Sequence, residues 1–209
     1  MRLMNTEVMQ LYFSPTSPYV RKCMVTAHEV GLVDLITLLP ASAHPVTRDQ
    51  KIIQSNPLGK VPTLINKDGM ALYDSRVICE YLNALGNGPL LPSEGAARWE
   101  ALTLQSLGDG ILDAALLARY ENHVRPENLR WPDWVTGKLD AIHTSLSDLN
   151  QHPEVFDKAF HLGLLTVGCA LWYLDLRYPE LNWRQHYPAL ASAAEPTLQR
   201  ESMKQSWAQ

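Results

Sequence analysis

The chain has 209 residues, of which 46% are hydrophobic, enough to bury a sizeable core in one generous domain or two compact ones. Lysine and arginine total 18 and aspartate and glutamate total 22, a formal net charge of -4 with no basic run that could follow a phosphate backbone. We therefore expect a folded protein without a nucleic-acid partner.

The N-terminus and the cysteines bear on the compartment. Residues 1–8 lack the basic start, apolar stretch and cleavage site of a secretory signal, so we interpret them as a flexible extension of a cytoplasmic protein. Cys23, Cys79 and Cys169 lie far apart, each in an apolar helical pattern, which predicts neither a disulfide framework nor a zinc site. We expect three buried thiols and no metal ion.

Short strands and helices alternate in the first part of the chain. Met9 to Phe13 is an apolar run ended by Ser14-Pro15, and a helix with one apolar face starts at Pro18 and ends before Gly31. A second strand, a short helix, a hairpin and a last helix follow. Their expected bounds are Val33–Leu39, Arg48–Ser55, Thr63–Asn66 with Met70–Tyr73, and Ser75–Leu85. The order βαβαββα predicts an α/β domain over residues 9–85.

Glycines and prolines in residues 86–93 break this pattern, and we interpret that segment as a linker. Three apolar helical stripes follow in residues 94–209, which predict an all-helical domain. The first stripe starts at Trp99, which we expect in the core. The third, within Leu162 to Leu174, is apolar nearly all round and too short for the roughly 20 residues of a membrane span, so it predicts a buried central helix and no membrane.

The segment from Ser14 to Pro18 joins the end of a strand to the start of a helix. Ser17 suits the N-cap position and Pro18 the first helical position. Taken alone, this pattern predicts a helix cap and nothing more.

Motifs in both halves of the chain carry a resemblance. The run Asn56-Pro57-Leu58-Gly59-Lys60-Val61-Pro62-Thr63-Leu64 is followed by Asp74-Ser75 at the start of a helix, and the helical half adds Val167-Gly168-Cys169-Ala170-Leu171 and Arg177-Tyr178-Pro179-Glu180-Leu181. In this order and spacing the motifs are similar to the glutathione S-transferase family, in particular to its serine-type, bacterial-like cytosolic members. The resemblance implies a thioredoxin-like domain followed by an all-α helical bundle, and a homodimer.

The resemblance also implies where glutathione binds. Val61 would precede a cis proline, Pro62, and pair through its backbone with the cysteinyl part of glutathione like an added strand. Ser75, at a helix start, would hold the γ-glutamyl carboxylate, and Asp74 its α-amino group. The alternative for Asp74 and Ser75 is a plain helix cap.

Two further residues are candidates for contact with glutathione. Lys60 corresponds to a position that often contacts the tripeptide in serine-type members, where a cation suits its two carboxylates. His44 is a weaker candidate for the glycyl carboxylate, and the alternative is a solvated loop histidine.

Ser17 is the implied catalytic residue. It falls where redox-active relatives of the fold carry the first cysteine of Cys-Pro-Tyr-Cys, and Val20 replaces the second, which excludes exchange between two protein cysteines. A hydrogen bond from its hydroxyl to the glutathione sulfur, with the positive helix end, would favour the nucleophilic thiolate. Ser14 is the alternative at the same strand end, and Thr16 is weaker.

The implied reaction is conjugation of the glutathione thiolate to a hydrophobic, electrophilic small molecule. The alternatives are a glutathione-dependent peroxidase or thiol reductase and a glutathione-binding or partner-binding module without turnover. Arg119, Tyr120 and Trp172 are the expected second-substrate residues in the helical domain.

Two places depart from the family pattern. Members often begin the central helix of the second domain with Ser or Thr followed three residues later by Asp, but this chain has His161 and Leu164 there. We therefore expect that helix start to lack its capping pair. Residues 189–194 lack the tryptophan that many relatives carry.

Overall fold

The computed structural model describes residues 8–206, so the expected extension lies outside it except for Val8, as do residues 207–209. The chain forms two compact units. One runs through Leu91 and includes the segment from Glu201 onward, and the other is Pro92–Arg200.

Four strands of the first unit form one mixed sheet, in the order β2-β1-β3-β4. Their bounds are β1 Met9–Phe13, β2 Ile36–Pro40, β3 Thr63–Ile65 and β4 Ala71–Leu72. β1 and β2 are parallel, which requires a crossover, and the other neighbours are antiparallel. This confirms the predicted fold class. The second strand starts later than expected, because Val33–Leu35 forms a 3-10 turn.

The strand register places three loops side by side at one edge of the sheet, namely the loop after β1, the loop before β3 and the loop after β4. Tyr12, next to the end of β1, pairs with Thr63 at the start of β3. Leu64 pairs with Leu72 at the end of β4. The connections that leave β1, enter β3 and leave β4 therefore lie side by side.

Two helices connect these strands, α1 Pro18–Glu29 and α2 Gln50–Ile53, and a third, α3 Ser75–Leu85, follows β4. α2 is shorter than the expected Arg48–Ser55, because the Asp49 side chain caps it by accepting a hydrogen bond from the Lys51 N–H at 2.9 Å. α1 packs against α3, where the sulfurs of Cys23 and Cys79 lie 4.0 Å apart in the core. All three cysteines are free and buried, as expected.

The C-terminal segment belongs to the first unit, although the sequence pattern had placed it in the helical domain. Helix α9, Glu201–Gln205, packs against α1. The Arg21 Nη2 donates a hydrogen bond to the Met203 carbonyl at 2.6 Å, and the Met203 side chain is fully buried. This bond joins parts of the chain that a local pattern cannot connect.

The second unit consists of helices, in agreement with the predicted all-α fold. Their bounds are α4 Gly95–His123, α5 Pro132–Gln151, α6 Leu162–Arg177, α7 Trp183–His186 and α8 Pro188–Leu198. α6 is buried along almost its whole length, as a central helix should be. The expectation for Trp99 is wrong, because its side chain is 66% exposed on α4.

Helices α4 and α6 lie close together and run in the same direction. A Cβ on Gly163 would meet the Ala101 carbonyl at 2.6 Å and Leu104 at 2.8 Å, and a Cβ on Gly108 would meet Val167 at 2.9 Å. These glycines allow the two backbones to approach. Because both contacts advance together along the two helices, their C-terminal ends lie at the same end of the unit.

Helix α4 is also long and apolar. Within residues 8–206 it is the helix whose length and mean hydropathy of 1.2 would allow it to cross a membrane, and 50% of that window is buried inside the protein. A buried core helix of a soluble protein has the same length and composition.

The start of α6 lacks the family's capping pair, as its sequence indicates, but a different side chain caps it. The expected Ser/Thr and Asp pair is absent, but the His161 Nδ1 accepts a hydrogen bond from the Gly163 N–H at 3.0 Å. Leu164 is only 1% exposed and packs in the core. Burial lowers the pKa of His161, and this favours the neutral ring that the cap needs.

Candidate functional site

Ser17 caps α1 at the sheet edge where the three loops meet. Its Oγ accepts a hydrogen bond from the Val20 N–H at 3.3 Å. A hydroxyl that accepts in this way keeps its own proton for donation to another group. The side chain is half-buried, and it lies at a helix start, where the first peptide N–H groups lack intrahelical partners and can bind an anion.

The neighbouring hydroxyl residues occupy different positions in the same turn. The Ser14 carbonyl accepts a hydrogen bond from the Ser17 N–H at 3.0 Å, which closes the turn between β1 and α1. The Ser14 side chain is half-buried, whereas Thr16 is exposed. The capping bond is made by Ser17 and not by these two residues.

Asn56 builds the loop that leads into β3. Its Nδ2 donates to the Thr63 Oγ1 at 2.9 Å and to the Lys60 carbonyl at 3.3 Å, and its Oδ1 accepts from the Leu58 N–H at 3.0 Å. Asn56 is buried, and Gly59 has a φ of +63° that an L side chain rarely adopts. The structure of this loop therefore explains why the motif contains Asn56 and Gly59.

Val61 and Pro62 end this loop at the sheet edge. The peptide bond between them is cis, as the resemblance implies. Pro62 is buried and Val61 is half-buried. Within the described part of the chain, the backbone N–H and C=O of Val61 make no hydrogen bond. Two half-buried backbone groups at a strand end are what an added peptide strand would pair with.

Asp74 and Ser75 lie at the start of α3, beside the same edge. The Asp74 Oδ1 accepts a hydrogen bond from the Arg76 N–H at 2.9 Å, so the cap that we considered as an alternative is present. Asp74 remains exposed, whereas Ser75 is 3% exposed. The Cys23 Sγ lies 4.0 Å from the Ser75 carbonyl oxygen and ties this helix start to α1.

The two weaker candidates, Lys60 and His44, differ in the exposure and hydrogen bonding of their side chains. The Lys60 side chain is exposed, and its carbonyl oxygen accepts a hydrogen bond from the Thr63 Oγ1 at 2.8 Å. The His44 Nδ1 accepts from the Val46 N–H at 3.2 Å and the Thr47 N–H at 3.0 Å. His44 is thus engaged in its own loop, and only its Nε2 is left to face a ligand.

The expected second-substrate residues belong to the second unit. Arg119 and Tyr120 lie near the C-terminal end of α4, and Trp172 lies on α6 with its ring centre 6.3 Å from that of Tyr173. All three expected residues are half-buried. Burial raises the pKa of Tyr120 and, to about 12, that of Tyr178 nearby, while the charge of Arg119 opposes both shifts.

Sequence reasoning missed two residues that shape these places. Asn56 was noted as part of a motif, and the signal for its role was an amide followed by a proline and a glycine at loop spacing. Arg177 was noted in the same way. Its signal was a cation one turn after Tyr173 on a helix that is otherwise apolar.

Other surface features lie away from the predicted residues. A groove of about 310 Å³ in the second unit is lined by Glu121, Arg125, Leu129, Trp131 and Trp134. The Glu121 carboxylate there is already engaged by the Arg125 side chain and the Trp131 N–H. Within residues 8–206, no group of three or more His, Cys, Asp and Glu side chains is placed to hold a metal ion.

Comparison with known proteins adds to this geometry. Residues 16–85 match the family model described as the glutathione S-transferase N-terminal domain. The chain is 31% identical over 199 residues to an uncharacterized GST-like protein, YibF, of Escherichia coli K12, a match that covers 93% of this chain and 96% of that protein.

Solved structures resemble the chain over almost its whole length. A glutathione transferase family member from Pseudomonas fluorescens Pf-5 with bound glutathione is 42% identical with a TM-score of 0.92, over 95% of this chain and 98% of that one. A structure from the same organism with bound S-(propanoic acid)-glutathione is 40% identical with a TM-score of 0.88, over 96% and 100%. A glutathione S-transferase from Methylobacillus flagellatus KT with bound glutathione is 36% identical with a TM-score of 0.82, over 95% and 98%.

Proposed function

The chain belongs to the glutathione S-transferase family, and on this premise we propose that it is a glutathione transferase that conjugates the glutathione thiolate to an electrophilic small molecule. The electrophile supplies an alkyl or aryl group. We further propose a cytoplasmic homodimer that needs no metal ion.

The observation that carries this proposal is the hydrogen bonding of Ser17. Its Oγ accepts the Val20 N–H, and a hydroxyl that accepts from a helix start becomes a stronger donor through its own proton. Donation of that proton to the glutathione sulfur would stabilise the thiolate. Lowering a thiol pKa from about 8.5 to about 6.5 requires roughly 2.7 kcal/mol, and a hydrogen bond to a charged group supplies about 1.5–3 kcal/mol.

The loops at the same sheet edge supply the remaining contacts. Val61 would pair with the cysteinyl backbone through its unused N–H and C=O. Ser75 and the first N–H groups of α3 would hold the γ-glutamyl carboxylate, and Asp74 its α-amino group. Lys60 is exposed beside Val61 and would attract a carboxylate of the tripeptide.

The relatives support glutathione as the ligand. The structures that are 42% and 36% identical to this chain carry glutathione, and the one that is 40% identical carries a glutathione thioether. A thioether is the product that attack of the thiolate on carbon forms, so this ligand supports conjugation.

The proposal is tested by turnover and binding together. Purified protein is assayed with glutathione and aryl halides, epoxides, isothiocyanates and hydroperoxides, beside a glutathione thermal-shift titration. Conjugation above the uncatalysed rate supports the proposal. Stabilisation by glutathione without turnover would favour the binding module, and activity confined to hydroperoxides would favour the reductase.

A further inference from the structure

Arg48 links two loops of the first unit that are separate in sequence. It lies directly before Asp49, the cap of α2, and its backbone pairs with that of Ala43 in an isolated antiparallel bridge. Its side chain reaches the next loop, where the Nη2 donates a hydrogen bond to the Pro57 carbonyl oxygen. Arg48 is therefore fixed through its backbone in one loop and holds the backbone of the other through its guanidinium.

The same guanidinium packs on Gly59. A Cβ on Gly59 would meet the Arg48 Nη2 at 3.2 Å, the Arg48 Nε at 3.3 Å and the Ile53 Cγ1 at 3.3 Å. Gly59 is buried, although Leu58 and Lys60 on either side of it are exposed. Arg48 and Ile53 therefore cover the turn of the loop at this glycine.

The other hydrogen bonds of this loop do not reach its tip from outside. The bonds of the Asn56 side chain join residues within the loop and the start of β3, and the Gly59 N–H donates to the Asn56 carbonyl at 2.8 Å. The Asn56 N–H donates to the Ile52 carbonyl at 2.7 Å, which attaches the start of the loop to α2. Within residues 8–206 the Pro57 carbonyl accepts its hydrogen bond from Arg48 alone. Arg48 thus ties the tip of the loop to the rest of the unit.

We propose that Arg48 is a positioning residue for glutathione binding. It holds the loop in the conformation that presents the Val61 N–H and C=O, just after Gly59, to the cysteinyl part of the tripeptide. The inference rests on the proposed function and adds a residue that acts through the loop. A loop that is already ordered costs less entropy on binding, and the apparent affinity falls in proportion to the fraction of molecules with a correctly formed loop.

Two other roles for Arg48 are compatible with its position. Its side chain is exposed and has donors besides Nη2, so it could bind the glycyl carboxylate of glutathione directly. It could also be a surface arginine whose bond to Pro57 adds nothing to the order of the loop. A pair of matched ligands tests the first role, and a measurement on the free protein tests the second.

The measurement on the free protein is amide hydrogen exchange. Arg48→Met keeps an apolar stem and removes the donors and the charge. The Asn56 and Gly59 amides should then exchange roughly three- to tenfold faster, because their bonds persist only while the loop stays closed, and the amides of α1 should not change. Arg48→Lys should recover part of the protection, since an ammonium can donate to the same carbonyl. Unchanged exchange in the loop of Arg48→Met would overturn the inference.

The matched ligands are glutathione and its glycyl ethyl ester, which has no charge at the glycyl end. Calorimetry should show that Arg48→Met weakens the binding of both by the same factor, roughly three- to tenfold. The kcat at saturating glutathione should stay within about twofold, because the bound tripeptide itself orders the loop. A loss confined to glutathione would reveal a direct contact with the glycyl carboxylate and would contradict the positioning role.

Lys51→Met is the matched control. Lys51 is an exposed cation of the same segment, and within the described residues its side chain makes no hydrogen bond. Its variant removes the same charge and should leave the loop exchange and both affinities unchanged. Equal weakening in the Lys51 and Arg48 variants would assign the effect to overall charge and overturn the inference. A wild type that conjugates no electrophile would count against the proposed function alone, because exchange and binding need no turnover.

Discussion

The hydroxyl of Ser17 accepts one hydrogen bond and has a proton left to donate, so its two tasks do not compete. The capping bond fixes where the oxygen lies, at the start of α1. The donated bond would then act on whichever sulfur is placed there. For this reason the effect of Ser17 on catalysis can be separated from its effect on folding.

Ser17→Ala should lower turnover more than glutathione affinity. If the bond to sulfur contributes about 1.5–3 kcal/mol, kcat/KM at neutral pH should fall roughly 10- to 150-fold, and part of the loss should return as pH rises and ionises the thiol without help. Steady-state rates between pH 6 and 9 and the thiolate absorbance of bound glutathione measure this.

Variants of the neighbours Thr16 and Ser14, and a second variant of Ser17, serve as controls for Ser17→Ala. Thr16→Ala removes an exposed hydroxyl from the same turn and should leave the rate unchanged. Ser17→Gly removes the hydroxyl but keeps a good N-cap residue, so it should lose activity with little loss of stability. If Ser14→Ala loses activity and Ser17→Ala keeps it, the catalytic role belongs to Ser14.

The Asp74 carboxylate both caps α3 and faces solvent, so an alanine variant would mix the two roles. Asp74→Asn keeps an oxygen for the cap and removes only the charge. We expect the free energy of glutathione binding to become less favourable by about 1.5–3 kcal/mol, because the ligand's α-amino group loses its charged partner. Isothermal calorimetry measures the change.

Asp49→Asn is the matched control for this prediction. Asp49 caps α2 through the same kind of bond, from Asp49 Oδ1 to the Lys51 N–H at 2.9 Å, and lies outside the predicted site. Its variant should bind glutathione like the wild type. Unchanged affinity in the Asp74 variant would show that the γ-glutamyl group is held elsewhere.

At the scale of elements, the structure of the α6 start predicts the opposite stability change from the one that the sequence suggests for the family's capping pair. Restoring the family's pair with His161→Ser and Leu164→Asp would be expected from sequence to stabilise the helix. In the structure His161 already caps it, and Leu164 is 1% exposed. The double variant should melt at a lower temperature, because it buries a carboxylate among apolar side chains. His161→Ser alone should melt near the wild type, since serine is also a good cap.

The histidine cap should also make stability depend on pH. The pKa of His161 in the folded state is lowered, first by burial and then by Lys158, with Glu100 opposing. The unfolded chain then binds a proton more readily, so this stability is complete above about pH 6.5 and is lost as pH falls below it. Melting temperatures from pH 8 to pH 5 should fall more for the wild type than for His161→Ser. Parallel curves would contradict this role for His161.

The elements show what local patterns could and could not predict. Apolar periodicity and the Asp74-Ser75 start predicted α3 at its observed bounds, because all the information lies within eleven residues. The histidine cap of α6 was missed, since Ser, Thr, Asp and Asn are the expected caps. The bonds of Asn56 were missed because they close a loop whose partners only folding brings within reach.

At the scale of the whole molecule, long-range contacts decide what the sequence leaves open. The Arg21 bond to Met203 spans 182 positions and assigns α9 to the first unit. The bond from the Tyr178 hydroxyl to the Ala115 carbonyl depends on the close approach of α4 and α6 that Gly108 and Gly163 allow. Each residue is visible in the sequence, but the pairings are not, because no periodicity links positions on different helices.

The proposed homodimer is testable through Trp99, the most exposed tryptophan within residues 8–206. Trp99 is 66% exposed on α4 and, within the described residues, stacks on no other ring. We propose that this side chain lies in the dimer interface, because removing its apolar surface from water would favour association. We expect sedimentation to show a dimer at micromolar concentration and Trp99→Glu to shift it to the monomer, because a buried charge without a partner opposes association.

Trp131 provides the matched control, because it is 59% exposed in the same unit but stacks on Trp134, with ring centres 6.3 Å apart. Trp134 is in turn covered by the Lys138 ammonium 4.3 Å from its ring centre. Trp131→Glu should therefore remain dimeric, and both variants should keep the circular dichroism spectrum of the wild type. A dimer that survives Trp99→Glu but separates in Trp131→Glu would place the interface at the Trp131 and Trp134 groove, and a monomeric wild type would end the proposal of a homodimer.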